Sequence, residues 1–165
     1  MCETELLQRA TQVINKIKSE GHTLALAESC TGGWLSKIIT DVSGASAVYK
    51  GGICSYSNEV KMSLLGVKEE TLAQHGAVSE QTARQMAVGV KSTLKTDIGV
   101  GITGIAGPSS DNTNKPVGLI YVAVAFGDSV TVTELRNTFT ESVRTNNRAS
   151  AVDTALNLLG DIYER

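Results

Sequence analysis

The sequence has few aromatic residues, few prolines and no excess of charge of either sign. Aromatic residues make up 4% of the 165 positions, so a core has to be built mainly from Ala, Val, Ile and Leu. The 15 basic and 17 acidic residues leave a net charge of −2. A protein that binds nucleic acid or an anionic membrane needs a basic patch, and this balance does not supply one. We therefore expect no nucleic acid partner and no membrane partner.

Long apolar runs and regularly spaced cysteines are also missing. No apolar run approaches the ~20 residues of a membrane span, and the amino-terminal residues lack the basic-then-apolar pattern of a signal peptide. The three cysteines, Cys2, Cys30 and Cys54, are odd in number and scattered. Such a set predicts neither a disulfide framework nor a zinc site, and reduced thiols fit a cytoplasmic protein.

The apolar residues that are present predict one α/β domain over residues 1–165. Hydrophobic residues make up 41% of the sequence, and this length is that of one ordinary domain. Helical periodicity or a capping residue predicts helices at about 4–19, 34–40, 58–65, 80–94 and near the carboxyl end, with a helical turn at 69–74. Apolar runs predict strands at 23–28, 48–57, 97–103, 117–126 and 130–139, the last two as a hairpin. Helices and strands alternate at first and a hairpin follows near the end, an order that favours a three-layer α/β/α sandwich with a mixed sheet.

The first predicted strand is followed directly by small polar residues and glycines. Ser29-Cys30-Thr31-Gly32-Gly33 lies between this strand and a helix. Backbone N–H groups at a helix amino terminus suit either a bound anion or a nucleophile with an oxyanion hole. An alternative is that Ser29 or Thr31 only caps the helix. Cys30 competes as nucleophile, because a helix amino terminus lowers a thiol pKa, but catalytic thiols of that type usually have a histidine partner.

A lysine is the best candidate for a catalytic base. The two histidines, His22 and His75, lie in no recognisable motif, so no Ser-His-Asp arrangement is supported. Lys61 lies at the start of a predicted helix, where partial burial would lower its affinity for a proton. The alternative is an ordinary solvated lysine on the surface.

Two further segments are candidates for ligand binding. Residues 99–104 match the G-x-G-x-x-G pattern, but here the glycines lie inside a strand, whereas a dinucleotide fingerprint follows a strand and opens a helix. The small-residue loop from Thr103 to Pro108 is better placed to present N–H groups to phosphate or ribose. Arg144 and Arg148, one turn apart at the start of the last helix, are either phosphate ligands or a solvated pair.

Five motifs occur in a fixed order along the chain: AESCTGG at 27–33, YSNEVK at 56–61, HGAVS at 75–79, GIAGP at 104–108 and KPVG at 115–118. Together they resemble the CinA carboxy-terminal domain family in its stand-alone form, over residues 5 to 163. The resemblance implies hydrolysis of nicotinamide mononucleotide to nicotinate mononucleotide and ammonia in pyridine nucleotide salvage. It also implies no metal, no organic cofactor and a homo-oligomer, a dimer or larger.

The same resemblance implies roles for individual residues. Ser29 would be the nucleophile, Lys61 its base and Tyr56 a hydroxyl that relays or orients the proton. For the mechanism itself, we expect the oxyanion to rest on backbone N–H groups around Thr31 and Gly32. The positions expected to bind substrate are Cys30, Thr31, Gly32, Gly33, Ser46, Asn58, Thr103, Gly104, Ile105, Ala106, Gly107, Gly118, Arg144 and Arg148.

The sequence departs from the family pattern in two places. Ser109-Ser110-Asp111 replaces a glycine pair after Gly-Pro, and the segment from Phe139 to Arg144 is one residue longer than usual. Both are expected near the substrate. The main alternative function is a nucleotide-binding or regulatory module without catalysis, and a DNA-associated competence factor fits the acidic balance poorly.

Overall fold

The structure is a computed structural model that describes residues 2–164, so the predicted domain limits at residues 1 and 165 lie outside it. The helices are α1 (Glu3–Ser19), α2 (Trp34–Thr40), α3 (Asn58–Leu65), α4 (Glu69–His75), α5 (Glu80–Thr93) and α6 (Val143–Asp161). The strands are β1 (Leu24–Glu28), β2 (Tyr49–Cys54), β3 (Ile98–Gly104), β4 (Leu119–Phe126) and β5 (Ser129–Arg136), and Ala45–Ala47 form a 3₁₀ turn. No helix within residues 2–164 has the length and apolar character needed to cross a membrane.

The five strands form one mixed sheet in the order β2-β1-β3-β4-β5. Strand β1 pairs in parallel with both β2 and β3, whereas β4 is antiparallel to β3 and to β5. The predicted mixed sheet and its terminal hairpin are therefore confirmed. Because β1, β2 and β3 run in the same direction, their carboxyl ends meet at one edge of the sheet.

Helices cover both faces of the sheet, which confirms the three-layer α/β/α prediction. Leu24 and Leu26 of β1 join the main core cluster, which also contains side chains of α1, α2 and α6. Ala25 and Ala27 point to the other face and pack with residues of α3 and α5. The period-two alternation of a strand thus sends large side chains to one face and small ones to the other.

The glycines of β3 allow α5 to lie close to the sheet. A Cβ atom on Gly99 would lie 2.2 Å from the carbonyl oxygen of Ala87, and one on Gly101 would lie 2.5 Å from that of Ala83. Real Cβ atoms do not approach backbone so closely, so only glycine fits at these positions. The first two glycines of the G-x-G-x-x-G pattern therefore reflect helix–sheet packing.

Four of the five strands are shorter than the sequence predicts, β1 and β4 at their amino ends and β2 and β5 mainly at their carboxyl ends, and the helical turn predicted at 69–74 is longer. Strand β2 ends at Cys54, and the carbonyl oxygen of the next residue, Ser55, accepts a hydrogen bond from Lys61. Strand β5 ends at Arg136, before Phe139, while α4 extends to His75. The irregularity expected around Gly51-Gly52 is present, since Leu24 pairs with Tyr49 but Ala25 pairs with Gly51.

Candidate active site

A cavity of about 240 Å³ opens at the sheet edge where β1, β2 and β3 end. The predicted residues that line it are Ser29, Cys30, Tyr56, Asn58, Lys61, Thr103, Gly104, Ile105, Ala106, Gly107 and Arg144. In open α/β sheets, ligands bind beyond the carboxyl ends of parallel strands, where the chain connections diverge. The cavity lies at such an edge.

Ser29 and Lys61, which are far apart in sequence, meet at the buried end of this cavity. Ser29 directly follows β1, and its N–H donates to the carbonyl oxygen of Ile102 at 3.0 Å. Lys61 lies on α3, and its Nζ is 3.2 Å from Ser29 Oγ. The same Nζ donates to the carbonyl oxygen of Ser55 at 2.7 Å. Two oxygen partners therefore hold the amine beside the serine hydroxyl.

Burial changes the proton affinity of Lys61. The side chain is only 1% exposed, and this burial lowers the pKa of Lys61 below its ordinary value. A buried ammonium loses its hydration, which favours the neutral amine. Within residues 2–164 no carboxylate forms an ion pair with Lys61. The residue is therefore not the solvated surface lysine that the sequence left as an alternative.

Cys30 has the opposite character to that of a reactive thiol. Its side chain is buried, and burial, partly opposed by its own backbone and by the cation of Arg148, raises the pKa of Cys30 to about 12. A thiol in this state stays protonated at neutral pH and is a poor nucleophile. Of the two candidate nucleophiles in this turn, the geometry favours Ser29.

The amino terminus of α2 is occupied by the side chain of Glu28. This carboxylate, which is 1% exposed, accepts hydrogen bonds from the N–H groups of Gly33 and Leu35 at 3.2 and 3.1 Å. It also accepts from the N–H and hydroxyl of Ser36 at 2.8 and 2.7 Å. The helix end therefore does not offer free N–H groups to an anion, contrary to the expectation from the sequence.

The predicted oxyanion donors are only partly available. The N–H of Gly32 donates to the carbonyl oxygen of Ser29 at 3.1 Å, so the expectation for this group is corrected. The N–H groups of Cys30 and Thr31 donate to no other residue within the described chain. Of the two residues, only Cys30 lines the cavity, so its N–H is the remaining candidate for holding an oxyanion.

Tyr56 and Arg144 lie together at the mouth of the cavity. Tyr56 is 66% exposed, and its hydroxyl accepts a hydrogen bond from Arg144 Nη2 at 3.2 Å. Arg144 Nη1 donates to the carbonyl oxygen of Gly107 at 2.9 Å. The hydroxyl of Tyr56 makes no hydrogen bond with Ser29 or Lys61 here, so its predicted part in proton transfer stays a prediction.

The loop after β3 forms one wall of the cavity and is fixed from two sides. Thr103 Oγ1 donates to the carbonyl oxygen of Ala77 at 2.7 Å, and Asn147 Nδ2 donates to that of Ala106 at 3.0 Å. Both Thr103 and Asn147 are 1% exposed. Their bonds hold the backbone of residues 103–107 in a defined shape, as a preorganised ligand site requires.

Some residues predicted to bind substrate do not line the cavity: Thr31, Gly32, Gly33, Ser46, Gly118 and Arg148. Ser46 is exposed on the 3₁₀ turn. At Gly118 a Cβ atom would lie 2.1 Å from the carbonyl oxygen of Asn137, so this glycine allows a close backbone contact. Arg148 donates instead to the carbonyl oxygen of Thr31 at 2.7 Å.

Two lining residues, Ala77 and Val78, were missed by the site prediction, and three more, Ser109, Ser110 and Asp111, were expected only to lie near the substrate. The first two lie in the HGAVS motif, which contributed to the resemblance but has no reactive side chain. The other three form the segment where the sequence departs from the family pattern. Within residues 2–164 no group of three or more His, Cys, Asp or Glu side chains is arranged to hold a metal ion.

Comparison with known sequences identifies one family. The model of the CinA C-terminal domain matches residues 6–163. The chain is 44% identical over 156 residues to the nicotinamide-nucleotide amidohydrolase PncC of Escherichia coli strain K12, covering 93% of this chain and 94% of that protein. It is 53% identical over 123 residues to a putative competence-damage inducible protein of Caldanaerobacter subterraneus, covering 74% of this chain but 30% of that longer relative.

Solved structures agree with this result. The competence/damage inducible protein CihA from Agrobacterium tumefaciens superposes with a TM-score of 0.88 at 38% identity, covering 96% of this chain and 94% of that one. A CinA superfamily protein from Klebsiella pneumoniae gives a TM-score of 0.88 at 32% identity, with coverages of 98% and 97%. Both likenesses extend over nearly the whole chain.

Proposed function

The chain belongs to the CinA C-terminal domain family, and we propose that it hydrolyses nicotinamide mononucleotide to nicotinate mononucleotide and ammonia. The observation that carries the proposal is the 3.2 Å distance between Lys61 Nζ and Ser29 Oγ in a cavity at the sheet edge. The relative PncC, which matches nearly end to end, bears the name of a nicotinamide-nucleotide amidohydrolase.

In the first step Lys61 acts as the general base. A neutral amine has two N–H groups and one lone pair, so one N–H donates to the carbonyl oxygen of Ser55 while the lone pair faces the Ser29 hydroxyl. Lys61 takes the hydroxyl proton as Ser29 Oγ attacks the carboxamide carbon of the substrate. The lowered pKa of Lys61 makes the neutral amine available for this step.

The tetrahedral intermediate then loses ammonia. Its oxyanion rests on the free N–H group of Cys30, which lines the cavity, and one such donor is typically worth ~3 kcal/mol of transition-state stabilisation. The pyridinium ring withdraws electrons from the amide and favours the attack. Lys61 returns its proton to the leaving nitrogen, which departs as ammonia and leaves an acyl ester on Ser29.

A water molecule completes the cycle. Lys61, neutral again, takes a proton from water as the oxygen attacks the ester carbonyl. The bond to Ser29 Oγ breaks, the serine recovers its proton from Lys61, and nicotinate mononucleotide is released. Each atom of the substrate and of water is accounted for in the two products.

Arg144 and the loop from Thr103 to Gly107 hold the rest of the substrate. With the amide at Ser29, the ribose and phosphate extend toward the mouth of the cavity, where Arg144 is exposed. A guanidinium is well suited to phosphate because its N–H groups form paired hydrogen bonds. Fixing the distal phosphate in this way places the reacting amide near the nucleophile.

Single substitutions of the reacting pair test the proposal. We expect Ser29→Ala and Lys61→Ala each to lower ammonia release from nicotinamide mononucleotide by about a thousandfold or more, since the two residues act as a unit. Ser63→Ala and Lys18→Ala, which change exposed residues of the same types, serve as matched controls and retain activity. Near wild-type turnover in either Ser29→Ala or Lys61→Ala contradicts the assignment.

The same proposal includes the setting of the enzyme. We place it in the cytoplasm, in pyridine nucleotide salvage, as a homo-oligomer without nucleic acid or membrane partners. The scattered cysteines support the cytoplasmic location, and the net charge of −2 supports the expectation of no nucleic acid or membrane partner. Light scattering of the purified protein measures the oligomeric state, and a monomer at working concentration contradicts that part of the proposal.

A further inference from the structure

Arg148 lies behind the turn that carries Ser29 and does not line the cavity. Its Nη2 donates to the carbonyl oxygen of Thr31 at 2.7 Å, and its guanidinium carbon lies 5.3 Å from the centre of the Trp34 ring. Arg144, one helical turn earlier on α6, does line the cavity. The two arginines that the sequence paired as phosphate ligands therefore occupy different places.

One peptide unit connects Arg148 to the backbone of the nucleophile. The carbonyl of Thr31 and the N–H of Gly32 belong to the same planar unit. The carbonyl accepts from Arg148, while the N–H donates to the carbonyl oxygen of Ser29 at 3.1 Å. A guanidinium that fixes this plane therefore fixes the turn from Ser29 to Gly32.

The sequence of this turn is permissive, so a contact from outside the turn further restricts its backbone. Gly32 and Gly33 both have positive φ angles, +60° and +92°, and consecutive glycines allow many other backbone conformations. Stacking on Trp34 holds the guanidinium itself in place. A side chain at residue 32 would extend toward Arg148, since a Cβ atom there would lie 3.7 Å from Nη2.

We propose that Arg148 is a positioning residue that holds the nucleophile turn and aligns Ser29 Oγ with Lys61 Nζ, and that it is not a phosphate ligand. The inference rests on the proposed amide hydrolysis for its kinetic consequences. A misplaced nucleophile slows the chemical step and leaves substrate binding intact. A lost phosphate ligand does the reverse and weakens binding.

The test compares Arg148→Met and Arg148→Lys with Arg144→Met. We expect Arg148→Met to lower kcat by about tenfold to a hundredfold with KM within about twofold of wild type, because small misplacements cost that much in rate. Arg148→Lys keeps the positive charge but lacks the planar guanidinium that lies over the Trp34 ring. We therefore expect a smaller loss of kcat, again without a change in KM. Arg144→Met is expected to raise KM.

A second measurement does not depend on the substrate. Ser29 Oγ displaces fluoride from a fluorophosphonate probe, and mass spectrometry follows the labelled protein over time. We expect Arg148→Met to slow the labelling, whereas Arg136→Met, an exposed arginine on β5, labels like wild type. If wild type releases no ammonia while Arg148→Met still labels slowly, the proposed function fails and the role of Arg148 stands.

Three results would overturn the inference. One is a raised KM with unchanged kcat in Arg148→Met, which would make Arg148 a phosphate ligand. Another is labelling and kcat equal to wild type in that variant. If Arg148→Met does not fold, as judged by circular dichroism, Arg148→Lys decides, and wild-type kcat and labelling in Arg148→Lys would exclude the positioning role.

Discussion

The amine of Lys61 is buried and contacts Ser29 Oγ and the carbonyl oxygen of Ser55 in place of water. This burial determines how activity depends on pH. Burial lowers its pKa from the ordinary 10.5, and only the neutral amine accepts the proton of Ser29. We therefore expect kcat/KM to rise with pH and then to reach a plateau, with the midpoint of the rise below pH 10.5. The sign follows from the base role, since a group needed in its protonated form would give a falling limb. Initial rates of ammonia release, measured across a range of pH, give this rising limb of the pH profile.

Two controls assign this limb to Lys61. The substrate phosphate also titrates, with a second pKa near ~6, so nicotinamide riboside, which has no phosphate, should keep the limb. Tyr56 lines the cavity too, and Tyr56→Phe should keep the limb if the lysine is the base. A limb that disappears in Tyr56→Phe would make the tyrosine the titrating group.

Single residues also show what the sequence could and could not reveal about the site. Ser29 and Lys61 were found because each lies in a motif at the boundary of a strand and a helix. Glu28 and Arg148 act through backbone groups of the same turn, and no sequence pattern states which carbonyl or N–H a side chain will reach. The predicted phosphate role of Arg148 rested on its spacing from Arg144. This spacing does not indicate which group each guanidinium contacts.

At the scale of elements, the contact between α5 and β3 depends on the missing side chain of Gly101. A Cβ atom there would lie 2.5 Å from the carbonyl oxygen of Ala83 and 2.7 Å from the N of Ala87. We expect Gly101→Ala to reduce the free energy of unfolding by roughly 1–3 kcal/mol, the usual cost of overpacking. Urea denaturation measures the change.

Gly160 provides the matched control for this prediction. It lies in α6, and a Cβ atom there would meet nothing within 4 Å. Alanine is the better helix former by about 0.5–1 kcal/mol, so Gly160→Ala should stabilise the protein by about that amount. Equal effects of the two substitutions would contradict the close contact between α5 and the sheet.

The order and type of the elements could be predicted from the sequence, but the ends of the strands could not. Helical periodicity and apolar runs follow from which residues are buried, and the helices and strands that they predict are the ones observed. Strand β2 ends where Lys61 takes the carbonyl of Ser55. Such an end involves a side-chain contact to the backbone, which the pattern of apolar residues does not specify.

At the scale of the whole molecule, the cavity joins parts of the chain that only the fold brings together. Ser29 follows β1, Lys61 lies on α3, and Arg144 starts α6. The resemblance to a family implied this convergence, whereas composition and periodicity predicted only a sheet edge with small polar residues. A ligand that contacts all three segments binds the folded chain and not the unfolded one.

Such a ligand should therefore raise the melting temperature of the domain. In Ser29→Ala, which cannot turn over, nicotinamide mononucleotide at a hundred times its Kd should add about 2.7 kcal/mol of stability. For a domain of this size that corresponds to a shift of roughly 5–10 °C. Differential scanning fluorimetry measures it, and free nicotinamide, which lacks ribose and phosphate, should give a smaller shift at the same concentration.

Adding Arg144→Met should reduce the shift by the nucleotide but not the shift by nicotinamide. Equal shifts by the nucleotide with and without Arg144 would contradict the phosphate site at the mouth of the cavity. No shift at all would contradict binding of the nucleotide in this cavity.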